Sequence, residues 1–239
     1  MLSQARAQLN ADVCRVVRDR FLVGLLVYIL VMSFVLRWML PWLASRFSTV
    51  PLVDYYPLIT GYVVVTAGAV ICGVVGGLLL LETKEEGTIH ALRVSPMPVE
   101  RLLWLEASFI FAVTIGVIFV QAVIVGVGRP SAGPLVAVSA AASAFSPVVA
   151  VGVAALSRDK VEAFAWMKIM GLLALLSAAA WFVPEPWQWL AAVIPPYPPA
   201  KAWWLANAGD DRWILWAVVT PIVNGIALAA LMHRWKKAM

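Results

Sequence analysis

The sequence predicts an all-α integral membrane protein: six transmembrane helices, an N-terminal amphipathic interfacial helix, and short outer helices before the last span. Three observations predict it. The chain of 239 residues is 63% hydrophobic and 13% charged, with a mean hydropathy of +0.90. Soluble domains carry about 25% charged residues, so that class is excluded. The apolar residues also fall into long runs: Leu58–Leu81 has no charge, and Leu102–Val127 has only Glu106. About 20 apolar residues in a helix cross the hydrocarbon core of a bilayer. Finally, the charges gather between those runs rather than along them.

Taken in order, residues 1–19 form the first element. Leu2, Ala5, Leu9, Val13 and Val16 recur at helical spacing, with Gln4, Arg6, Gln8, Asp12 and Arg15 opposite. That pattern predicts a helix lying on the inner membrane surface. No small-residue cleavage site follows a short apolar core, so no removable signal peptide is predicted. The six spans are predicted at 20–40, 58–81, 102–127, 135–156, 163–183 and 213–232. Pro147 and Pro221 fall inside spans four and six, where each removes a backbone donor and predicts a kink. Residues 82–101 are a polar island, ETKEEGTIHALRVSPMPVER, with Ile89, Leu92 and Val99 among charged neighbours, which predicts a short amphipathic loop helix. Residues 184–212 form a loop dense in Trp and Pro. Trp181 to Trp216 holds seven of the twelve tryptophans, and Pro184, Pro186, Pro195, Pro196, Pro198 and Pro199 exclude one continuous helix. Short pieces dipping into the outer leaflet are expected there, over 187–193 and 200–208, because Trp favours the headgroup region. The whole chain, 1–239, reads as one membrane domain.

Lysine and arginine set the orientation. Of the 18, thirteen fall on the side of the termini, the 82–101 loop and Arg158–Lys168, and five on the other: Arg37, Arg46, Arg129, Lys201 and Arg212. The excess marks the cytoplasmic face. Both termini are therefore expected inside a multi-pass protein of a prokaryotic cell membrane.

The motifs exclude several chemistries. No GxxxxGK[ST] loop is present to cradle nucleotide phosphates, and neither GxSxG nor HExxH occurs. No catalytic residue is predicted. Cys14 and Cys72 lie at different depths, and no Cys/His cluster predicts a metal site. Away from their ends the spans hold no ionisable residue; Glu106 and Lys168 lie about a turn from the boundary, within snorkelling reach. A coupling ion needs an intramembrane ionisable group, so an ion-coupled secondary transporter is disfavoured. A structural membrane subunit of a larger complex stays open. Ala69, Gly73 and Gly77 form a small-residue stripe suited to close helix packing, either within the chain or in a dimer. Thr114, Gln121 and Asn224 are deep polar side chains, and Met167, Met170 and Leu173 offer adaptable apolar contact. With Asn224 these three are the candidates for lining a substrate path.

The segment LETKEEGTIHALRVSPMPVERLLW resembles the first cytoplasmic loop of type-2 ABC exporter permeases, through Glu82, Glu86-Gly87-Thr88 and Ser95-Pro96. RDKVEAFAWMKIMGLL at 158–173 and WFVPEPWQWLAAVIPPYPPAKAWW at 181–204 are similar to the fifth span and outer loop of fluoroquinolone-export permeases. Glu106 is a departure, because many members of that family place a basic residue near the start of the third span. The resemblance implies a permease subunit that is not itself an enzyme and that exports hydrophobic or amphipathic, drug-like compounds by alternating access. It implies a second permease copy or paralogue as partner, and a cytoplasmic ABC ATPase that carries the ATP and Mg; no cofactor is implied on this chain and no nucleic acid as partner. Glu82, Lys84, Glu85, Glu86, Gly87, Thr88, Leu92 and Arg93 would belong to the coupling helix that contacts the ATPase. Arg158, Asp159 and Lys160 would make a second, smaller contact.

Overall fold

The computed structural model describes residues 18–47, 51–85 and 99–238. The expected interfacial helix, apart from residues 18 and 19, lies outside them, as does Cys14. Among the described residues the protein is helical, without a strand, and six segments are long and apolar enough to span a membrane. The predicted fold class is therefore the observed one.

The first span, α1 (Arg20–Arg46), begins at Asp19, whose carboxylate accepts the N–H groups of Phe21 at 2.8 Å and Leu22 at 3.3 Å. Capping in this way satisfies two of the donors that a helix start leaves free. The second span starts earlier than its apolar run predicts. A 3-10 turn at Leu52–Tyr55 leads into α2 (Tyr56–Thr60), a π-helical stretch at Gly61–Ala67 and α3 (Gly68–Glu85). The third span is α4 (Val99–Val125). The fourth is broken into α5 (Ala132–Ala142) and α6 (Phe145–Leu156). The fifth is α7 (Lys160–Ala179), and the sixth is α10 (Trp213–Ala238), in which Pro221 is accommodated without ending the helix.

Two spans form the centre. In the second and fourth, 83% and 72% of the most apolar stretch is buried, against 33% or less in the other four. The reason is the small-residue stripe. A Cβ built at Gly73 would lie 2.5 Å from the Ser146 carbonyl oxygen and 2.6 Å from Val149 Cβ; at Gly77 it would lie 2.9 Å from the Ala150 oxygen. Ala69 is buried on the same side. Of the two roles open to the stripe, the packing seen is within the chain, between α3 and α6.

Breakage of the fourth span follows from Pro147. Its missing N–H leaves the Ser143 carbonyl without the usual helical donor. Ser146 supplies one instead, its Oγ donating to the Ser143 oxygen at 2.9 Å, while Ser143 Oγ donates to the Ser139 oxygen at 2.7 Å. Serine side chains commonly re-satisfy freed carbonyls in membrane helices. Thr114 Oγ1 of α4 lies 2.8 Å from Ser146 Oγ, joining the third span to the break.

The Trp/Pro-rich loop re-enters the fold. A short α8 (Glu185–Gln188) and a 3-10 segment at Trp189–Val193 lead inward, and α9 (Tyr197–Ala208) leads back. Asn224 Nδ2 donates to the Pro195 carbonyl at 3.2 Å. Asn224 is eleven residues beyond Trp213, so at 1.5 Å per residue the loop reaches about 16 Å along the sixth span, near half the hydrocarbon thickness. Backbone at that depth must be satisfied within the protein. The start of α9 achieves this by composition: Tyr197 N–H donates to the Ile194 carbonyl at 2.9 Å, and Pro198 and Pro199 have no N–H to satisfy. Residues Tyr197 to Ala206 are buried, whereas Trp187, Trp189, Leu190 and Val193 of the inward limb are exposed.

Candidate functional site

Three places concentrate polar or functional residues: the face at which α1 begins and α10 ends, the opposite Trp-rich face, and a cavity between them. At the first, Glu82 and Lys84 close α3 beside the start of α7. Lys160 Nζ lies 2.6 Å from Glu82 Oε1, and Lys84 Nζ donates to the Ser157 carbonyl at 3.0 Å and the Ala154 carbonyl at 3.4 Å. The Lys84 ammonium also sits over the Trp235 ring, 5.8 Å from its centroid. Asp159 caps α7 by accepting the Glu162 N–H at 2.8 Å, and Glu162 Oε2 in turn accepts the Arg158 N–H at 2.8 Å. Trp166 Nε1 donates to the Leu156 carbonyl at 3.0 Å.

The consequence is mechanical. Spans two, four, five and six are tied together at the point where the chain leaves toward residues 86–98. Two clusters separated by 78 residues in sequence, Glu82/Lys84 and Arg158–Lys160, are one surface in space. Glu86, Gly87, Thr88, Leu92 and Arg93 lie outside the described residues, and of Glu85 only the backbone is described. Glu106 differs from the snorkelling expectation: it is 8% exposed and therefore buried.

At the opposite face, Arg212 holds the re-entrant loop. It donates to Asp210 Oδ2 at 2.7 Å through Nη2 and to Glu185 Oε1 at 3.0 Å through Nη1. Those hydrogen bonds hold the Asp210 carboxyl below its ordinary value of 3.8, and they raise the Arg212 guanidinium above its own. Lys201 Nζ and Tyr197 OH both donate to Gln188 Oε1, at 2.7 and 3.1 Å, which pins α9 to the inward limb. Trp203 Nε1 donates to Thr60 Oγ1 at 3.0 Å, and Thr60 donates to the Gly128 carbonyl at 2.6 Å. Trp204 packs on Gly61, where a Cβ would lie 2.8 Å from its indole nitrogen. Gly61 opens the π-helical stretch, so the wider turn and the missing side chain together receive the indoles of α9.

The cavity measures about 200 Å3 and lies beside the broken fourth span, between α4 and α10. Trp104, Phe111, Ala144, Pro147, Pro221 and Asn224 are among its walls. Asn224 is thus the one candidate path residue that reaches it. Met167 and Met170 pack part-buried against the core from α7, and Leu173 is half-buried; none of the three lines this cavity. Sequence reasoning missed Trp104 and Phe111, which give no signal beyond ordinary span residues. The coincidence of Pro147 and Pro221 in two spans was the available pointer.

Six apolar spans packed around two buried ones, with a re-entrant cap at one face and knitted helix ends at the other, define a multi-pass, all-α membrane protein. The chain belongs to a family of export permeases: the family described as fluoroquinolones export permease protein Rv2686c-like matches residues 12–232. It is 28% identical over 173 residues to the fluoroquinolones export permease proteins of two Mycobacterium tuberculosis strains, CDC 1551 / Oshkosh and ATCC 25618 / H37Rv. Those matches cover 72% of this chain and 68% of each relative. The resemblance drawn from residues 158–204 is thereby confirmed at the level of the family. Membership supports a transport role for the chain, as a permease rather than an enzyme.

Proposed function

We propose that this chain is the transmembrane subunit of an ATP-driven ABC exporter of hydrophobic or amphipathic compounds, including molecules of the fluoroquinolone type named for its relatives. It works as a pair with a second permease, identical or paralogous. A cytoplasmic ATPase binds ATP and Mg and docks on the face at which α1 begins, both termini lying on the cytoplasmic side of the cell membrane. The supporting observation is the joined surface of Glu82, Lys84, Ser157 and Lys160 at the root of the 86–98 loop. A push on a loop anchored there is delivered to spans two, four and five through hydrogen bonds, and to span six through the contact of Lys84 with the Trp235 ring. ATP can shift the equilibrium between inward- and outward-facing states only through different affinity of the ATPase for each, and a junction that joins several helix ends passes that difference to them together.

The buried Glu106 is the feature that favours the ion-coupled alternative, since a carboxylate inside a span is a candidate proton carrier. One experiment separates the two. Inverted vesicles containing the chain and its cognate ATPase are given a fluorescent amphipathic drug in the outside medium, and its uptake is followed with ATP present and an uncoupler added. ATP-dependent transport that survives the uncoupler, and survives Glu106→Gln, is expected; transport abolished by the uncoupler at constant ATP would reject the ABC reading.

A further inference from the structure

The inward limb of the re-entrant loop exposes backbone that a bilayer alone cannot satisfy. In a 3-10 segment each carbonyl accepts the N–H three residues on. At the end of Trp189–Val193, Ile194 N–H meets the Ala191 carbonyl at 2.9 Å in this way. The residues three on from Ala192 and Val193 are Pro195 and Pro196, which have no N–H to give. The next donor along the chain, Tyr197 N–H, goes to the Ile194 carbonyl at 2.9 Å. Among the described residues neither the Ala192 nor the Val193 carbonyl receives a hydrogen bond. Both lie within three residues of Pro195, whose own carbonyl meets Asn224 about 16 Å along the sixth span. The side chains there are open to the surroundings: Leu190 is 71% and Val193 79% exposed.

Three surroundings are open to this limb, and two of them leave it unsatisfied. Lipid would cover Leu190 and Val193 but would offer the carbonyls no donor, and irregular backbone facing hydrocarbon does not occur. Water would supply donors but would wet Leu190, Val193 and the exposed rings of Trp187 and Trp189. Protein does both. The limb also specifies which protein. Trp187 and Trp189 carry indole N–H groups with no hydrogen-bond acceptor among the described residues. Unused donors and unused acceptors therefore lie a few residues apart on one segment. Trp189 is held in place by the Trp216 ring, 4.8 Å away between centroids. Bordering the limb, Glu185 is paired with Arg212 at 3.0 Å and Lys201 at 3.6 Å, and Arg212 with Asp210 at 2.7 Å. These four charges balance, so a second copy meets no repulsion from them. A segment that supplies both halves of its own hydrogen bonds fits a copy of itself, as an isologous two-fold contact requires.

We propose that residues 187–194 pack against the same segment of a second copy of this chain across a two-fold axis, sealing the limb from lipid and water. The inference rests on the pairing of permeases put forward above and narrows the partner to an identical copy. Two copies with different tags are co-expressed with the cognate ATPase, one of them carrying Val193→p-benzoylphenylalanine. Val193 is exposed, so the probe disturbs no packing within the chain. Irradiation of the membranes is expected to give a product carrying both tags, with the cross-link mapped by mass spectrometry to residues 181–216 of the other copy. An adduct with lipid or with a different protein, a cross-link outside 181–216, or no adduct overturns the proposal. Water is tested separately with Val193→Cys in a chain carrying Cys14→Ser and Cys72→Ala. A membrane-impermeant methanethiosulfonate is expected to label it about ten-fold more slowly than the exposed Asp211→Cys, since a thiol in dry apolar surroundings forms little thiolate. Equal rates would put the limb on an aqueous path and overturn the seam. Co-purification of the two tags without irradiation reads the pairing itself. Tags that co-purify but do not cross-link reject this seam alone, whereas tags that never co-purify reject the pairing as well.

Discussion

At the scale of single residues, the glycines of the second span show how a missing side chain fixes the position of two helices. Gly73 and Gly77 bring α3 against the backbone of α6, where a Cβ would fall within 2.5 to 2.9 Å of carbonyl oxygens. Backbone cannot move aside as the end of a flexible side chain can. Gly73→Ala is therefore expected to cost about 1–3 kcal/mol, the usual penalty for overpacking a filled interior. The matched control is Gly116→Ala in α4, where a Cβ meets nothing within 4 Å. Thermal unfolding in detergent, followed by size exclusion, should show a lowered midpoint for the first variant and none for the second. Equal midpoints would show that the seam relaxes freely.

At the scale of elements, the two faces make different predictions. The Glu82–Lys160 pair is partly exposed, with side chains 24% and 49% accessible, so its contribution to stability is about 0–1 kcal/mol. Its expected importance is in alignment. Glu82→Lys or Lys160→Glu alone should lower the drug transported per ATP hydrolysed with little change in melting, and the double swap should restore the ratio. Within the adjoining loop, Glu86→Lys and Gly87→Pro are expected to uncouple transport from hydrolysis while membrane insertion is retained, measured as transport and ATPase rates on the same vesicles. The re-entrant cap responds to pH instead. The folded-state Asp210 carboxyl is held below its ordinary 3.8 by Arg212, so the unfolded segment binds the proton more tightly. Its stabilisation is fully present above about pH 4 and is lost as pH falls through the lower, folded value. Hydrogen exchange over residues 183–212 should quicken on that descent, and Asp210→Asn should remove the dependence.

At the scale of the whole molecule, the arrangement is two buried spans ringed by four. Most of the exposed apolar surface belongs to the ring, through faces such as Val27, Tyr28, Val31, Phe34 and Trp38 of α1 and Ile214, Val218, Ile222 and Ile226 of α10, with Val136 of α5 also exposed. The Phe21 and Phe164 rings meet edge-on at 5.5 Å, closing α1 onto α7 near the face of the loop. At the other end Arg37 donates to the Ile124 carbonyl at 2.8 Å and clips α1 to α4. Both ends of α1 are thus fastened to a neighbouring span of the ring. The expectation at this scale is that the chain without its ATPase partner hydrolyses no ATP in detergent or nanodiscs. Turnover that co-purifies with the chain and persists after contaminants are removed would falsify it.

Much of this was legible in the sequence. Spans announce themselves because about 20 apolar residues have no other stable use, and the Trp/Pro segment declared itself irregular because proline cannot continue a helix. The stripe at Ala69, Gly73 and Gly77 was visible as a packing motif, though not its partner. Which helix faces it depends on the register of α6, a contact 73 residues away between Gly73 and Ser146. The same limit separated Glu82 from Lys160 and hid the cavity, whose walls come from three spans. Local composition sets what each segment can be, because backbone satisfaction and apolar length are local properties. The meeting of Asn224 with Pro195, and of Glu82 with Lys160, was decided only by tertiary packing, because side chains distant in sequence become neighbours only when the helices settle against one another.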